Sequence, residues 1–266
     1  MSFRRLLMGA GLCALPLFAQ AEPVPQAALS AQIVVLGETH DNPGHHQIQA
    51  QWISALRPTA IVFEMLSVDQ AKAVTSSIRG DAAALDAALG WSDTGWPDFA
   101  MYFPVFNAAP DATIYGAAVP RDRAQQAMAD GIIASFGSQA ARYGLSEELP
   151  EAQLNARLAL QAEAHCGALP ETLLPAMVQF QRLRDATLAQ TAVQALQATQ
   201  GPVVVITGNG HARADWAVPY YIGRADAQIS VFALGQGEGD IEPGGRFDLV
   251  RFSPSVERDD PCDVFN

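Results

Sequence analysis

Residues 34–46 read VVLGETHDNPGHH. Aliphatic residues of the buried-strand type stop abruptly at Gly37, a polar segment follows, and a helical pattern begins at about Gly44. Strand, glycine turn and helix in that order form the repeating unit of an α/β protein.

The same reading extends along the chain. Short apolar runs rich in β-branched residues occupy 32–36, 59–64, 112–117, 202–207, 228–233 and 247–252. Helical patterns fill 44–56, 68–77, 121–136, 147–164 and about 170–198. Continuously apolar strands separated by helices predict a mostly parallel sheet covered on both faces. The last two strands are separated only by the glycine-rich GQGEGDIEPGG, which predicts an antiparallel edge pair. Residues 90–110, GWSDTGWPDFAMYFPVFNAAP, break the pattern and read as an aromatic-rich insertion suited to a flat apolar ligand or to a satellite hydrophobic cluster.

The first residues, MSFRRLLMGAGLCALPLFAQAEP, have the form of a secretory signal peptide: Arg4 and Arg5, about 13 apolar residues, then Ala19-Gln20-Ala21. The apolar run is shorter than the roughly 20 residues of a spanning helix. The expected organisation is therefore a signal peptide at 1–21 and one α/β domain at 22–266, exported to the periplasm. Cys13 lies within the apolar run, behind a poor lipobox, so lipid anchoring is not expected. Removing Arg4 and Arg5 from 16 basic and 28 acidic residues leaves 14 and 28, a formal charge of −14, which disfavours nucleic acid as a partner. Cys166 and Cys262 are then the remaining cysteines, and in an oxidising compartment they predict one disulfide.

Ligands of open α/β sheets bind beyond the carboxyl ends of the strands. Three predicted strands end there in reactive residues: Gly37-Glu38-Thr39-His40, then Glu64, then Gly208-Asn209-Gly210-His211. Glycines 37, 208 and 210 suit sharp turns and close backbone approach. Glu38, His40, Glu64 and His211 could bind a divalent metal, or act as acid/base groups in a hydrolase. Neither chemistry is selected by the residues themselves. Arg184 and Asp185 on the long helix could pair with these groups or with a substrate. Arg121 follows the third strand at a carboxyl end. His45 and His46 open a helix, where the expectation is a largely exposed role.

The segments VVLGETHDNPGHH, AIVFEM, Ala164-His165-Cys166-Gly167, QRLRDATLA and VVVITGNGHAR, in this order, resemble the ChaN-like haem-binding family, grouped with Tiki, TraB and erythromycin-esterase-like proteins. The resemblance implies an α/β haem binder of iron uptake in the periplasm or at the outer membrane, a homodimer around haem, and contact with uptake components. It also implies a tyrosine ligand to the haem iron, for which Tyr102, Tyr220 and Tyr221 are candidates and Tyr102 the first choice. His40 and His211 would face the haem, and Arg121 would meet a propionate.

Overall fold

The computed structural model describes residues 23–260, 262 and 263; the expected signal peptide at 1–21 lies outside them. In chain order the elements are α1 (Gln26–Leu29), β1 (Ile33–Leu36), α2 (Pro43–Leu56), β2 (Ala60–Phe63), α3 (Val68–Ala73), α4 (Ala82–Leu89) and α5 (Phe99–Asn107). They continue with β3 (Thr113–Gly116), α6 (Arg121–Asp130), α7 (Ile132–Phe136), α8 (Glu151–Ala164), α9 (Leu174–Thr199), β4 (Val203–Ile206), α10 (Asn209–Ala212), α11 (Val218–Ala225), β5 (Val231–Glu238) and β6 (Leu249–Ser253). The six strands form one sheet in the order β3-β2-β4-β1-β5-β6, and every pair is parallel.

Successive strand residues point to opposite faces, so each strand serves two cores. Val34, Leu36, Ile61, Phe63, Val204 and Ile206 pack with Trp52 and Ile53 of α2 and with Tyr102 and Phe106 of α5. Ile33, Val35, Val62, Val203 and Val205 pack on the other face with Leu183, Ala186, Ala189 and Val193 of α9 and with Tyr221 and Ile222 of α11. This double coverage explains why the central strands carry no exposed residue.

The edge pair departs from expectation. β5 and β6 are parallel, with Leu234 beside Leu249 and Glu238 beside Ser253. The glycine-rich segment is not a hairpin loop, because Gly235 to Glu238 continue β5. The chain turns at the Glu238–Ile241 bridge, runs back, and is anchored at mid-strand where the Asp248 amide donates to Ala233 O at 3.0 Å. A Cβ at Gly235 would stand 2.7 Å from the Phe247 ring and one at Gly237 2.5 Å from Ile241 O, so these glycines make room for the return.

Two predicted helices are also divided. The 121–136 pattern breaks at Gly131, whose φ of 85° ends α6 and starts α7. The 170–198 pattern opens as a 3₁₀ turn before α9 starts at Leu174 with Pro175 in its first turn. The aromatic insertion contributes α5 to the main core: Phe106 stacks on Phe63 at 4.3 Å and Trp91 packs on Tyr102 at 4.7 Å.

Cys166 and Cys262 form the disulfide, closing a separation of 96 residues. By loop entropy such a bridge contributes about 2–4 kcal/mol. We expect Cys166→Ser/Cys262→Ser to lower the urea midpoint accordingly, and to lack the sensitivity of unfolding to dithiothreitol that wild type shows. Coincident curves for the two proteins under oxidising conditions would show that the bridge contributes nothing.

Candidate functional site

The strand-end residues meet because the strands stop in register. Leu36 pairs with Ile206, and Ile206 with Phe63, so β1, β4 and β2 end at one level with β4 in the middle. The residues that follow, Gly37-Glu38, Thr207-Gly208 and Glu64, therefore emerge side by side. Gly37 is demanded by close approach, since a Cβ would lie 2.5 Å from Asn209 Oδ1 and 2.9 Å from Leu234 O, and a Cβ at Gly208 would press on His40 Nε2 at 3.0 Å. A Cβ at Gly210 would meet nothing, so that glycine is not sterically required.

Glu38 is buried and fully engaged. Its Oε1 accepts from the Tyr102 hydroxyl and from His40 Nδ1, both at 2.7 Å, and its Oε2 accepts from Gln49 Nε2 at 2.7 Å. The carboxylate fixes the tautomer of His40 and turns its Nε2 away from Glu38. Burial pulls the His40 pKa down, but the Glu38 hydrogen bond and charge outweigh it and hold it above the ordinary imidazole value.

Glu64 anchors the other half. Its Oε2 accepts from Thr207 Oγ1 at 2.5 Å and from the Gly208 amide at 2.9 Å, while its Oε1 pairs with Arg184. His211 lies between two carboxylates, with Nδ1 2.6 Å from Asp185 Oδ1 and Nε2 3.7 Å from Glu64 Oε1. Burial would raise the Glu64 pKa, yet His211, Arg184 and His40 together lower it to about 2. Burial dominates at Asp185, whose pKa is raised although His211 opposes the shift. Arg184 and Asp185 thus point from adjacent positions of α9 to different partners at one cleft.

That cleft has a volume of about 700 Å³. Glu38, His40, Glu64, Arg184, Asp185 and His211 line it, with Trp96 from the aromatic insertion and Trp216 before α11. The Trp96 ring lies 4.8 Å from that of His40. One face of α8 supplies Arg157, Leu160, Gln161 and Ala164, whose spacing of three, one and three residues is that of a helical stripe.

Several expectations are corrected. Tyr102 is fully buried beneath the cleft, and its hydroxyl pKa is pushed far up by burial and by Glu38, so it is not presented as an iron ligand. Tyr221 is also buried, accepting from Arg182 Nε at 3.3 Å, and Tyr220 is 39% exposed on α11 outside the cleft lining. Arg121 is exposed in the first turn of α6 and does not line the cleft. Glu38, His40, Glu64 and His211 do not form a metal shell: among the described residues no group of three or more metal-binding side chains is so disposed. The physical reason is that Arg, Gln, Tyr, Thr and amide donors already occupy the carboxylate oxygens. His45 and His46 are buried, not exposed. His45 Nδ1 accepts from the Thr39 amide at 2.9 Å and His46 Nε2 donates to His40 O at 2.8 Å, so both hold the GETH turn.

Gln49, Arg157, Thr207 and Trp216 escaped the sequence reading, and Trp96 entered it only as part of the aromatic insertion. Gln49 had a signal, since it lies four and three residues after His45 and His46 on the same helix face.

Residues 24–222 match the family described as haem-binding uptake, Tiki superfamily, ChaN. No curated relative matches the chain by sequence. A solved structure of Campylobacter jejuni ChaN with cofacial heme binding aligns at a TM-score of 0.63 with 19% identity, over 82% of this chain and 86% of that one. At that identity the likeness establishes the fold. The type III effector HopBA1 (TM-score 0.45, 10% identity, 86% and 90% coverage) and the erythromycin esterase EreC (0.43, 15%, 79% and 71%) are more distant.

The low Glu64 pKa has a testable consequence. The folded value lies below the unfolded 4.5, so its contribution to stability is present above pH 4.5 and is lost as pH falls toward about 2. We expect Glu64→Gln to be less stable at neutral pH, leaving Arg184 without its carboxylate partner, and to show a shallower loss of stability across that window. Parallel stability–pH curves from urea denaturation would disprove the coupling.

Proposed function

Because the chain belongs to the ChaN family of haem-binding uptake proteins in the Tiki superfamily, we propose that it holds haem in the cleft at the carboxyl ends of β1, β4 and β2. The cleft carries this reading: a concave site of about 700 Å³ that combines Trp96, Trp216, Leu160 and Val178 with an oriented imidazole. Haem iron supplies ligand exchange and redox chemistry when bound. The residues of this chain fit such a group, because His40 lines the cleft and is braced through Nδ1 by Glu38 in the manner of a metal-binding histidine, which leaves Nε2 without a carboxylate partner. Its ring is also less buried than that of His211. His40 is therefore assigned as the iron-facing residue in place of Tyr102.

The reading extends to location and assembly. Export to the periplasm by the N-terminal signal is supported by its charge and apolar pattern and by the disulfide, which suits an oxidising compartment. A second copy meeting the first across haem, and transfer to uptake components, would follow from the open cleft.

One observation favours a second reading. Two carboxylate-imidazole pairs, Glu38 with His40 and Asp185 with His211, face one cleft beside Arg184, an arrangement that suits acid/base hydrolysis.

Hemin titration of the mature protein tests the first reading. We expect a saturable Soret shift, with His40→Ala weakening binding at least tenfold, about 1.4 kcal/mol. No saturable shift in the wild type would end the haem proposal. For the second reading, turnover of a panel of nitrophenyl esters and peptides is expected to fall at least a hundredfold in both His40→Ala and His211→Ala. Equal rates in wild type and variants would remove it.

A further inference from the structure

Three guanidinium groups line the cleft, and two already have carboxylate partners. Arg184 pairs with Glu64, and Arg213 grips Asp215 with two hydrogen bonds of 2.7 and 2.6 Å. Arg157 is different. It is only 5% exposed, and among the described residues no carboxylate forms an ion pair with it. Its Nη2 donates to Trp216 O at 2.9 Å, while its buried Nε has no hydrogen-bond partner. The Tyr221 hydroxyl and, next in strength, the Asp185 carboxylate also attract its charge, and Asp185 Oδ1 is bonded to His211.

Burying a cation without a counter-ion is unfavourable, and an arginine fork is built to take a planar anion with two parallel hydrogen bonds. The indole beside it completes the picture. Trp216 has the Arg213 guanidinium 3.5 Å and the Arg157 guanidinium 5.1 Å from its ring centre, so an aromatic surface and a cation without a carboxylate ion pair among the described residues stand together on the cleft wall. On the same face of α8, Leu160 and Ala164 extend that wall with apolar surface.

We propose that Arg157 is the carboxylate-recognising residue of this cleft, which selects flat apolar ligands whose carboxylate reaches its guanidinium beside Trp216. A haem propionate is one such carboxylate, and to that extent the inference rests on the haem reading; a free aromatic acid is another. Arg157 acts here by contact with the ligand, and its loss removes a preference for acids over esters.

The test compares hemin with hemin dimethyl ester on the mature protein, followed by Soret absorbance and by quenching of tryptophan fluorescence. Wild type is expected to bind the acid at least tenfold more tightly than the ester. Arg157→Gln should bind both with the affinity wild type shows for the ester, and Arg157→Lys should recover part of the preference. A merely structural role for Arg157 would weaken acid and ester alike and leave their ratio unchanged, which overturns the proposal, as does equal binding of the two by wild type. If hemin does not bind at all, the haem reading fails, and 1-pyrenebutyrate against its methyl ester decides separately. An acid preference lost in Arg157→Gln then upholds the role of Arg157 toward free aromatic acids, and no such preference overturns it.

Discussion

The shared register of β1, β4 and β2 is the constraint on which the site depends. Parallel strands buried on both faces can bring charge to the protein interior only where they end, and here Leu36, Ile206 and Phe63 end level with one another. Two buried carboxylates follow, Glu38 and Glu64, and a buried charge is tolerated only with its lone pairs satisfied. Each therefore organises its surroundings. Glu38 gathers Tyr102 from α5, Gln49 from α2 and His40 from its own turn, and Glu64 gathers Thr207, the Gly208 amide and Arg184. A shift of one residue in any of the three strands would strand a carboxylate without donors.

The wall of the cleft is held differently from its floor. α8 carries Arg157 and Leu160 and ends beside Cys166, whose disulfide to Cys262 fastens the C-terminal segment to it. That segment is also pinned beside the His40 turn: Arg258 contacts Asp41 at 2.6 and 2.7 Å and Glu238 at 2.6 and 2.7 Å. Asn42 joins the same group, donating to Glu238 Oε1 at 2.6 Å while its Oδ1 caps α2 through the Gly44 amide. Single exposed ion pairs contribute little, but here they share partners with a helix cap and lie on the chain that the disulfide closes. The segment after β6 thus connects the two sides of the cleft.

The sequence made the sheet legible because apolar runs of strand length leave a local mark, as do the glycines and polar residues that end them. The GETH and GNGH turns and the isolated Glu64 could be placed at strand ends for the same reason. Edge direction was not legible: whether Gly235 to Glu238 turn or extend depends on Phe247 and Ile241 packing over them. Nor was the fate of the aromatic insertion, where Tyr102 lies under the site and Trp96 lines it. Polar residues on helices were the least visible, because one helical stripe of Arg157, Leu160, Gln161 and Ala164 looks the same facing solvent or a cleft.

By itself, then, the sequence determined the α/β class, the strand ends that carry Glu38, Glu64 and the two glycine-histidine turns, the cysteine pair, and the family. Only the tertiary structure decided which groups are occupied and which are open. Tyr102 became a donor to Glu38, His45 and His46 became braces, and Arg157 was left without a carboxylate ion pair among the described residues. The physical reason is that hydrogen-bond satisfaction in a buried site is a property of groups brought together from α2, α5, α8, α9 and the strand ends, and no local window of the chain contains it.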